Sequence, residues 1–111
     1  MEYVIIMQAE NVMDYVNLVS SIADQHKESF GFLSSSAYEQ MASKGQLWVA
    51  TDGEGELKGY LMFGGTMPTL KVFQIFVCRT ARGHGVGKKL IDTLKIYARE
   101  KHYHSISAIM R

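Results

Sequence analysis

Apolar residues recur along the first half of this chain with two periods, one typical of strands and one of helices. The run from Tyr3 to Met7 is apolar and rich in β-forming residues, which predicts a buried strand. From about Glu10 to Gln25 apolar residues return every three or four positions, which predicts an amphipathic helix. A shorter second helix is predicted to start at a capping box formed by Ser36 and Glu39, and to end at Gly45.

The middle of the chain consists of strand-like runs separated by turn residues. Leu47 to Thr51 and Glu56 to Gly64 have strand composition. Between them, the turn residues Asp52 to Gly55 predict that the two strands form an antiparallel hairpin. Lys71 to Cys78 is predicted to be a fourth strand, after a loop that contains the only proline.

The last third of the chain combines a long helix with a final strand. Apolar residues line one face of the segment from Val86 to about Lys101, and charged residues line the other face. Ser105 to Met110 is predicted to be a fifth strand. The element order is therefore β-α-α-β-β-β-α-β. Because a strand–helix–strand crossover is almost always parallel and right-handed, this order predicts an α/β fold of the α+β type, with a mixed sheet.

Length and composition indicate one ordinary globular domain. The chain has 111 residues, 47% of them hydrophobic, which is enough for a modest single core. A net charge of +1 argues against binding of nucleic acid. The N-terminus lacks a signal-peptide pattern, no apolar run approaches the roughly 20 residues of a membrane span, and a lone cysteine suits a reducing compartment. We therefore expect a cytoplasmic protein without nucleic-acid or membrane partners.

The segment from Val77 to Lys89 is the most informative part of the chain. It carries three alternating glycines between an apolar strand and an amphipathic helix. Glycine allows positive φ and close backbone approach, and consecutive amide N–H groups beside a helix N-terminus form a site for anionic oxygens. The segment therefore predicts a small ligand that carries phosphate.

Two common phosphate loops do not fit this segment. The nucleoside-triphosphate loop would require glycine at Arg82 and a hydroxyl residue at Lys89. The dinucleotide fingerprint would require glycine at Lys88 or at Leu90. The pattern that remains is Arg-x-x-Gly-x-Gly, starting at Arg82.

That pattern resembles the coenzyme A pyrophosphate loop of the GNAT (N-acetyltransferase) superfamily, whose core is Gln/Arg-x-x-Gly-x-Gly/Ala. The predicted element order also resembles the N-terminal and central part of that family's fold, which normally continues with another helix and two strands. We therefore expect residues 1–111 to be a single GNAT-like domain that stops after the fifth strand, as a fragment of a longer protein. The open edge of that strand would accept a second copy, giving a homodimer, or a partner chain.

The resemblance implies an acetyl-CoA-dependent N-acetyltransferase that passes the acetyl group directly from the thioester to an amine of a small molecule or a protein. Acetyl-CoA would be the co-substrate, and no metal is implied. The main chain at the end of the fourth strand would hold the pantetheine and offer an N–H to the oxyanion, while the loop would hold the pyrophosphate. The implied cofactor-binding residues are Phe76, Val77, Cys78, Arg82, Gly83, His84, Gly85, Val86, Gly87 and Lys88.

Candidates for proton transfer are few. The fourth strand offers Gln74, which could orient a water but could not take a proton. Glu28 and His26 lie in the connection where the family forms part of its acceptor pocket, although solvated loop residues are the simpler interpretation. The resemblance provides no counterpart for the family's tyrosine acid. Cys78 is better interpreted as a small buried hydrophobe than as an acyl nucleophile.

Two other functions stay open at this point. A GNAT-like module without catalysis, binding coenzyme A or a protein partner, would explain the missing base. A nucleic-acid binder would use the basic side of the last helix, but the balanced overall charge argues against it. Lys88 and Lys89 would either contact the 3′-phosphate of coenzyme A or remain solvated.

Overall fold

A computed structural model describes residues 2–26 and 34–108 of the chain. The strands in these ranges are β1 (Val4–Ile6), β2 (Leu47–Thr51), β3 (Leu57–Gly64), β4 (Thr69–Val77) and β5 (Ser105–Ala108). The helices are α1 (Ala9–Val12), α2 (Val16–Gln25), α3 (Ser35–Ser43) and α4 (Val86–Glu100). Short 3-10 turns lie between α1 and α2 (Met13–Tyr15) and after β4 (Arg79–Ala81).

The five strands form one mixed sheet in the order β1-β2-β3-β4-β5. The pairs β1–β2, β2–β3 and β3–β4 are antiparallel, whereas β4 and β5 are parallel and joined through α4. This arrangement confirms the predicted mixed sheet and the predicted order of elements.

The sheet separates two hydrophobic clusters. The face covered by α4 packs around Trp48, whose ring centroid lies 4.7 Å from that of Phe63 and 5.3 Å from that of Tyr97. The opposite face is covered by α1, α2 and α3, and its buried residues include Val19, Tyr38 and Tyr60. Since each strand contributes alternate residues to the two faces, both clusters are built from the same strands.

The first two predicted helices differ from the structure in detail. The long first helix is divided at the 3-10 turn into α1 and α2. The predicted capping box does not form, because α3 already begins at Ser35 and its N-cap Ser34 makes no side-chain capping bond. Instead the Ser34 hydroxyl lies 3.0 Å from that of Ser36. The predicted stop at Gly45 is confirmed, with φ of 75° at that residue.

The hairpin between β2 and β3 forms as predicted. Asp52 holds the turn, because its carboxylate accepts the backbone N–H groups of Glu54 and Glu56 at 2.9 and 3.0 Å. These bonds lower the pKa of the Asp52 carboxyl. The bounds of the strands shift slightly from the prediction, since β3 begins at Leu57 and β4 begins at Thr69, where it pairs with Ser105 of β5.

A β-bulge interrupts the pairing of β3 with β4. Met62 pairs with Gln74 and the next residue, Phe63, pairs with Val72, so Phe73 is an extra residue on β4. The described pairing of β5 ends at Val72, and β4 runs on to Val77. In the part of the chain that the structure describes, β4 therefore has no neighbouring strand on its β5 side after the bulge.

Within residues 2–26 and 34–108, every helix is too short or too polar to cross a lipid bilayer. Glu28, one of the two candidate catalytic residues, lies outside the described ranges.

Candidate functional site

The glycine-rich segment forms a tight turn that leads from β4 into α4. The 3-10 turn is closed by the Ala81 N–H, which donates to the Cys78 carbonyl at 2.9 Å. Gly83 and Gly85 then both adopt φ of 82°, the left-handed region in which an L side chain is strained. Gly85 is the N-cap of α4, and the buried side chain of Val86 anchors the first residue of the helix in the core.

The start of α4 presents main-chain donors to solvent. The first bond of the helix is donated by the Lys89 N–H to the Gly85 carbonyl at 2.9 Å. The N–H groups of Val86, Gly87 and Lys88 precede that bond and therefore have no partner within the helix, and Gly85 supplies no side-chain cap. These donors and the positive end of the helix dipole make a site for an anion.

The glycines leave space over these donors. A Cβ built on Gly83 or on Gly85 would have no heavy atom of the described chain within 4 Å beyond its immediate neighbours. A Cβ on Gly87 would lie 3.5 Å from Cγ2 of Val77, an ordinary contact. The loop is therefore open on the side toward which the first two glycines face.

The main chain at the end of β4 has alternating orientations. The Cys78 N–H donates to the Lys58 carbonyl at 2.7 Å, so it faces β3. Along an antiparallel pair of strands, residues that are hydrogen-bonded to the partner strand alternate with residues that are not. Phe76 lies two residues before Cys78, so its N–H and C=O groups also face β3. Ile75 and Val77 then direct their N–H and C=O groups away from β3, toward the unpaired side. Among the three cofactor-binding residues of this strand implied by the resemblance, only Val77 exposes its main chain there, and Ile75, which belongs to the same strand, does so as well.

Arg82 contacts the main chain of β4 on this unpaired side. Its Nε donates to the Val77 carbonyl at 3.2 Å, while the side chain remains exposed. This bond is independent support for the outward direction of the Val77 carbonyl.

The two lysines at the start of α4 have other partners. Nζ of Lys88 lies 2.6 Å from a carboxylate oxygen of Asp92, one turn further along the helix. Nζ of Lys89 donates to the main-chain carbonyl of Tyr3, before β1. The Lys88 bond lowers the pKa of Asp92. Neither ammonium group points freely into the open side of the loop.

Gln74 has a buried side chain and lies in the part of β4 that follows the described pairing with β5. Its side chain is 3% exposed, its Oε1 accepts from the Tyr60 hydroxyl at 2.8 Å, and its Nε2 donates to the Tyr38 hydroxyl at 3.1 Å. Burial raises the pKa of both tyrosines, which therefore stay protonated at neutral pH. The expected water-orienting role of Gln74 does not fit this burial, because the amide is enclosed and bonded at both ends.

Cys78 is half-buried at the end of β4. Its Sγ lies 3.5 Å from the Leu57 carbonyl, and burial raises the pKa of the thiol above its ordinary value. Lys58 and Arg82 lower the pKa of the thiol and Glu56 raises it, but burial is the largest effect and the net shift is upward. A thiol with a raised pKa is a weaker candidate for an acyl nucleophile.

Two histidines remain: His84, which lies in the loop between Gly83 and Gly85, and His26, which packs near the end of β4. His84 is exposed, and its backbone N–H donates to the Ala81 carbonyl at 3.3 Å. The His26 ring packs against Phe76, with 5.4 Å between centroids. Across the described part of the chain, His, Cys, Asp and Glu side chains nowhere gather in threes as a metal centre would require.

Solved structures with the same fold cover nearly all of this chain. A ribosomal-protein-alanine N-acetyltransferase from Brucella melitensis biovar Abortus 2308 is 19% identical with a TM-score of 0.69, and the match covers 99% of this chain and 79% of that one. A Mycobacterium tuberculosis protein in complex with CoA is 15% identical with a TM-score of 0.83, covering 96% and 64%. N-acetylglutamate synthase from Neisseria gonorrhoeae, complexed with coenzyme A and N-acetyl-glutamate, is 13% identical with a TM-score of 0.81, covering 99% and 26%.

These identities are low enough that the structural matches show the fold alone, and the chain spans only part of each matched protein. No protein among the curated sequences matches this chain. A family model, in contrast, matches residues 15–110, which include both the outward-facing end of β4 and the whole glycine-rich loop, and its description is the acetyltransferase (GNAT) family. The chain therefore belongs to the acetyltransferase (GNAT) family.

Proposed function

We propose that this chain is an acetyl-CoA-dependent N-acetyltransferase that transfers the acetyl group directly to an amine. The observation that carries the proposal is the juxtaposition of two main-chain features. N–H groups at the start of α4 that have no partner within the helix follow a β-strand whose Ile75 and Val77 main chains face a side without a strand among residues 2–26 and 34–108. An anionic diphosphate joined to an extended amide-containing arm matches both features at once.

The loop and the strand would divide the binding of acetyl-CoA between them. The amides of Val86, Gly87 and Lys88 would bind the diphosphate, since the positive end of a helix dipole stabilises negative charge. The Val77 main chain would bind the pantetheine as a neighbouring strand does, and acetyl-CoA would displace Arg82 from the Val77 carbonyl or share that carbonyl with it. Acetyl-CoA supplies the thioester.

The reaction needs few side chains. The amine nitrogen would attack the thioester carbonyl and form the C–N bond, the carbonyl oxygen would carry the negative charge, and the C–S bond would then break; the amine proton would pass to the leaving thiolate or to water. A main-chain N–H of β4 would stabilise the oxyanion, a contribution of about 3 kcal/mol in comparable sites. Since β4 carries no carboxylate, we propose that the amine reaches its neutral form through solvent.

Two solved proteins of this fold are a ribosomal-protein-alanine N-acetyltransferase and an N-acetylglutamate synthase complexed with N-acetyl-glutamate. The shared fold therefore leaves the acceptor amine of this chain open, whether it belongs to a small molecule or to a protein.

Thermal-shift titration with acetyl-CoA, followed by an acetyl-transfer assay on a panel of amines with detection of the free thiol, tests the proposal. Ligand at 100 times its Kd should stabilise the protein by about 2.7 kcal/mol, and NAD and ATP should give no comparable shift. Binding without release of thiol would favour the alternative, a coenzyme A-binding module without catalysis. No binding at all would overturn both.

Replacement of Cys78 by alanine should leave acetyl transfer nearly unchanged. Because the pKa of this thiol is raised, little thiolate exists at pH 7 to 8, and alkylation by iodoacetamide should be slower than for an unstructured cysteine peptide and should accelerate only at more alkaline pH. Steady-state kinetics of Cys78→Ala and intact-protein mass after incubation with acetyl-CoA measure this. An acetylated protein that disappears in the variant would instead identify a covalent intermediate.

A further inference from the structure

We propose that Gln74 is a positioning residue whose amide, held between Tyr60 and Tyr38, fixes the β4 bulge and thereby aims the main chains of Ile75 and Val77 at the acyl donor. The inference rests on the proposed acetyl-CoA site. It concerns how the fold keeps that site in one geometry, and it assigns roles to two tyrosines on other elements.

The bulge reverses the two faces of β4. Before it, Leu70 and Val72 belong to the cluster under α4. After it, Phe76 contributes to the cluster under α1 to α3, where Gln74 meets Tyr38 and Tyr60. Without the bulge, Phe73 would pair regularly and strict alternation would place Gln74 on the same face as Leu70 and Val72.

The polar network therefore distinguishes the bulged register from the regular one. In the bulged register, the Gln74 amide is bonded at both ends and 3% exposed, between tyrosines that are 0% and 1% exposed. In the regular register, the amide would enter an apolar cluster and the two hydroxyls would lose this partner. A buried polar network in which the amide is bonded at both ends favours the arrangement that keeps those bonds, because moving the amide into an apolar cluster costs its desolvation.

The partner strand β3 has a glycine, Gly64, next to the bulge. A Cβ on Gly64 would lie 2.7 Å from Cε2 of Phe73, so the ring of the extra residue occupies space that only glycine leaves free. Gly64 is itself buried and pairs with Lys71, just before the bulge. Both sides of the β3–β4 ladder thus accommodate the extra residue.

The register determines which main-chain groups reach the acyl donor. With the bulge, Ile75 and Val77 face the unpaired side, and the Val77 carbonyl meets Arg82 there. A slip by one residue would turn these groups toward β3 and expose the main chains of Gln74 and Phe76 instead. The loop at the start of α4 would be little affected, because Val86 anchors it in the other cluster.

Gln74→Met tests the role, because methionine has a similar length, its thioether is only a weak acceptor for the Tyr60 hydroxyl, and it cannot donate to Tyr38. We expect kcat to fall by about 100-fold, the loss associated with a displacement of about 1 Å, while the Kd of coenzyme A changes little. Amide exchange followed by NMR should show that coenzyme A no longer protects Ile75 and Val77, but still protects Val86 to Lys88. The matched control is Thr51→Val, which removes another buried polar group on β2, and it should leave kcat and the protection pattern unchanged.

A variant with Gln74→Met, Tyr60→Phe and Tyr38→Phe separates positioning from stability. Removal of both hydroxyls should restore stability relative to Gln74→Met alone, because no hydroxyl that bonded to Gln74 is then left facing an apolar side chain, yet kcat should remain low. Recovery of kcat together with stability would overturn the positioning role, as would wild-type kcat in Gln74→Met. A wild-type protein that does not bind acetyl-CoA would overturn the proposed function instead.

Discussion

Gly85→Val should abolish the thermal stabilisation that acetyl-CoA gives the wild-type protein. Gly85 has φ of 82° and ψ of 14°, and a β-branched residue is strongly disfavoured in that left-handed region. The branched side chain would also occupy the open space above the N–H groups at the start of α4, where no described protein atom lies within 4 Å of an added Cβ. Strain and obstruction therefore act on the same anion site.

The strain of a left-handed L residue is about 1–2 kcal/mol, so the variant should still fold and its binding can be measured. The test compares melting temperatures with and without acetyl-CoA, where wild type should gain about 2.7 kcal/mol at 100 times its Kd.

Gly87→Ala is the matched control on the same loop. Its Cβ would make an ordinary 3.5 Å contact with Val77, and alanine is favoured over glycine inside a helix by about 1 kcal/mol. This variant should fold at least as well as wild type and retain the shift. If Gly85→Val binds as well as wild type, the ligand does not occupy the space above this loop.

Leu90→Ala should lower the free energy of unfolding by about 2–5 kcal/mol, the range for truncation of a buried leucine. Leu90 is 0% exposed and lies on the face of α4 that packs on the sheet near Trp48. Total stability for domains is only about 5–15 kcal/mol, so this loss should be visible in the urea midpoint.

Ile96→Ala provides the control, because Ile96 lies on the same helix and is 57% exposed. Its effect should stay within about 0.5 kcal/mol, as for other surface substitutions. Equal effects of the two variants would mean that the orientation of α4 on the sheet is wrong. Because α4 carries the candidate diphosphate site at its start, its packing and the ligand site depend on each other.

Local patterns predicted the elements with strong periodicity or strong turn residues. The amphipathic face of α4, the hairpin turn at Asp52 to Gly55 and the helix stop at Gly45 all depend on residues that are close in sequence, and the structure confirms them. The loop after β4 was predicted for the same reason. Its closely spaced glycines indicate a backbone with positive φ, which few other residues adopt.

The capping box illustrates where a local pattern was wrong. Ser36 and Glu39 have the required spacing, but the helix begins at Ser35. Its N-cap is therefore Ser34 and not Ser36. The packing of Tyr38 and Ala42 under the sheet orients this short helix, and such burial outweighs a capping preference of about 1 kcal/mol.

The amino-acid sequence was sufficient for the element order, the mixed sheet, the loop and the family resemblance, because these follow from periodicity and from glycine conformations within a few residues. The tertiary structure was needed for the bulge at Phe73, for the burial of Gln74 between Tyr60 and Tyr38, and for the outward main chain of Ile75. A polar residue in phase with Leu70 and Val72 was a signal of a register change, yet its partners lie on β3 and α3, 14 and 36 residues away. Hydrogen bonds between such distant residues form only when the sheet and its helices pack together, so no short pattern encodes them.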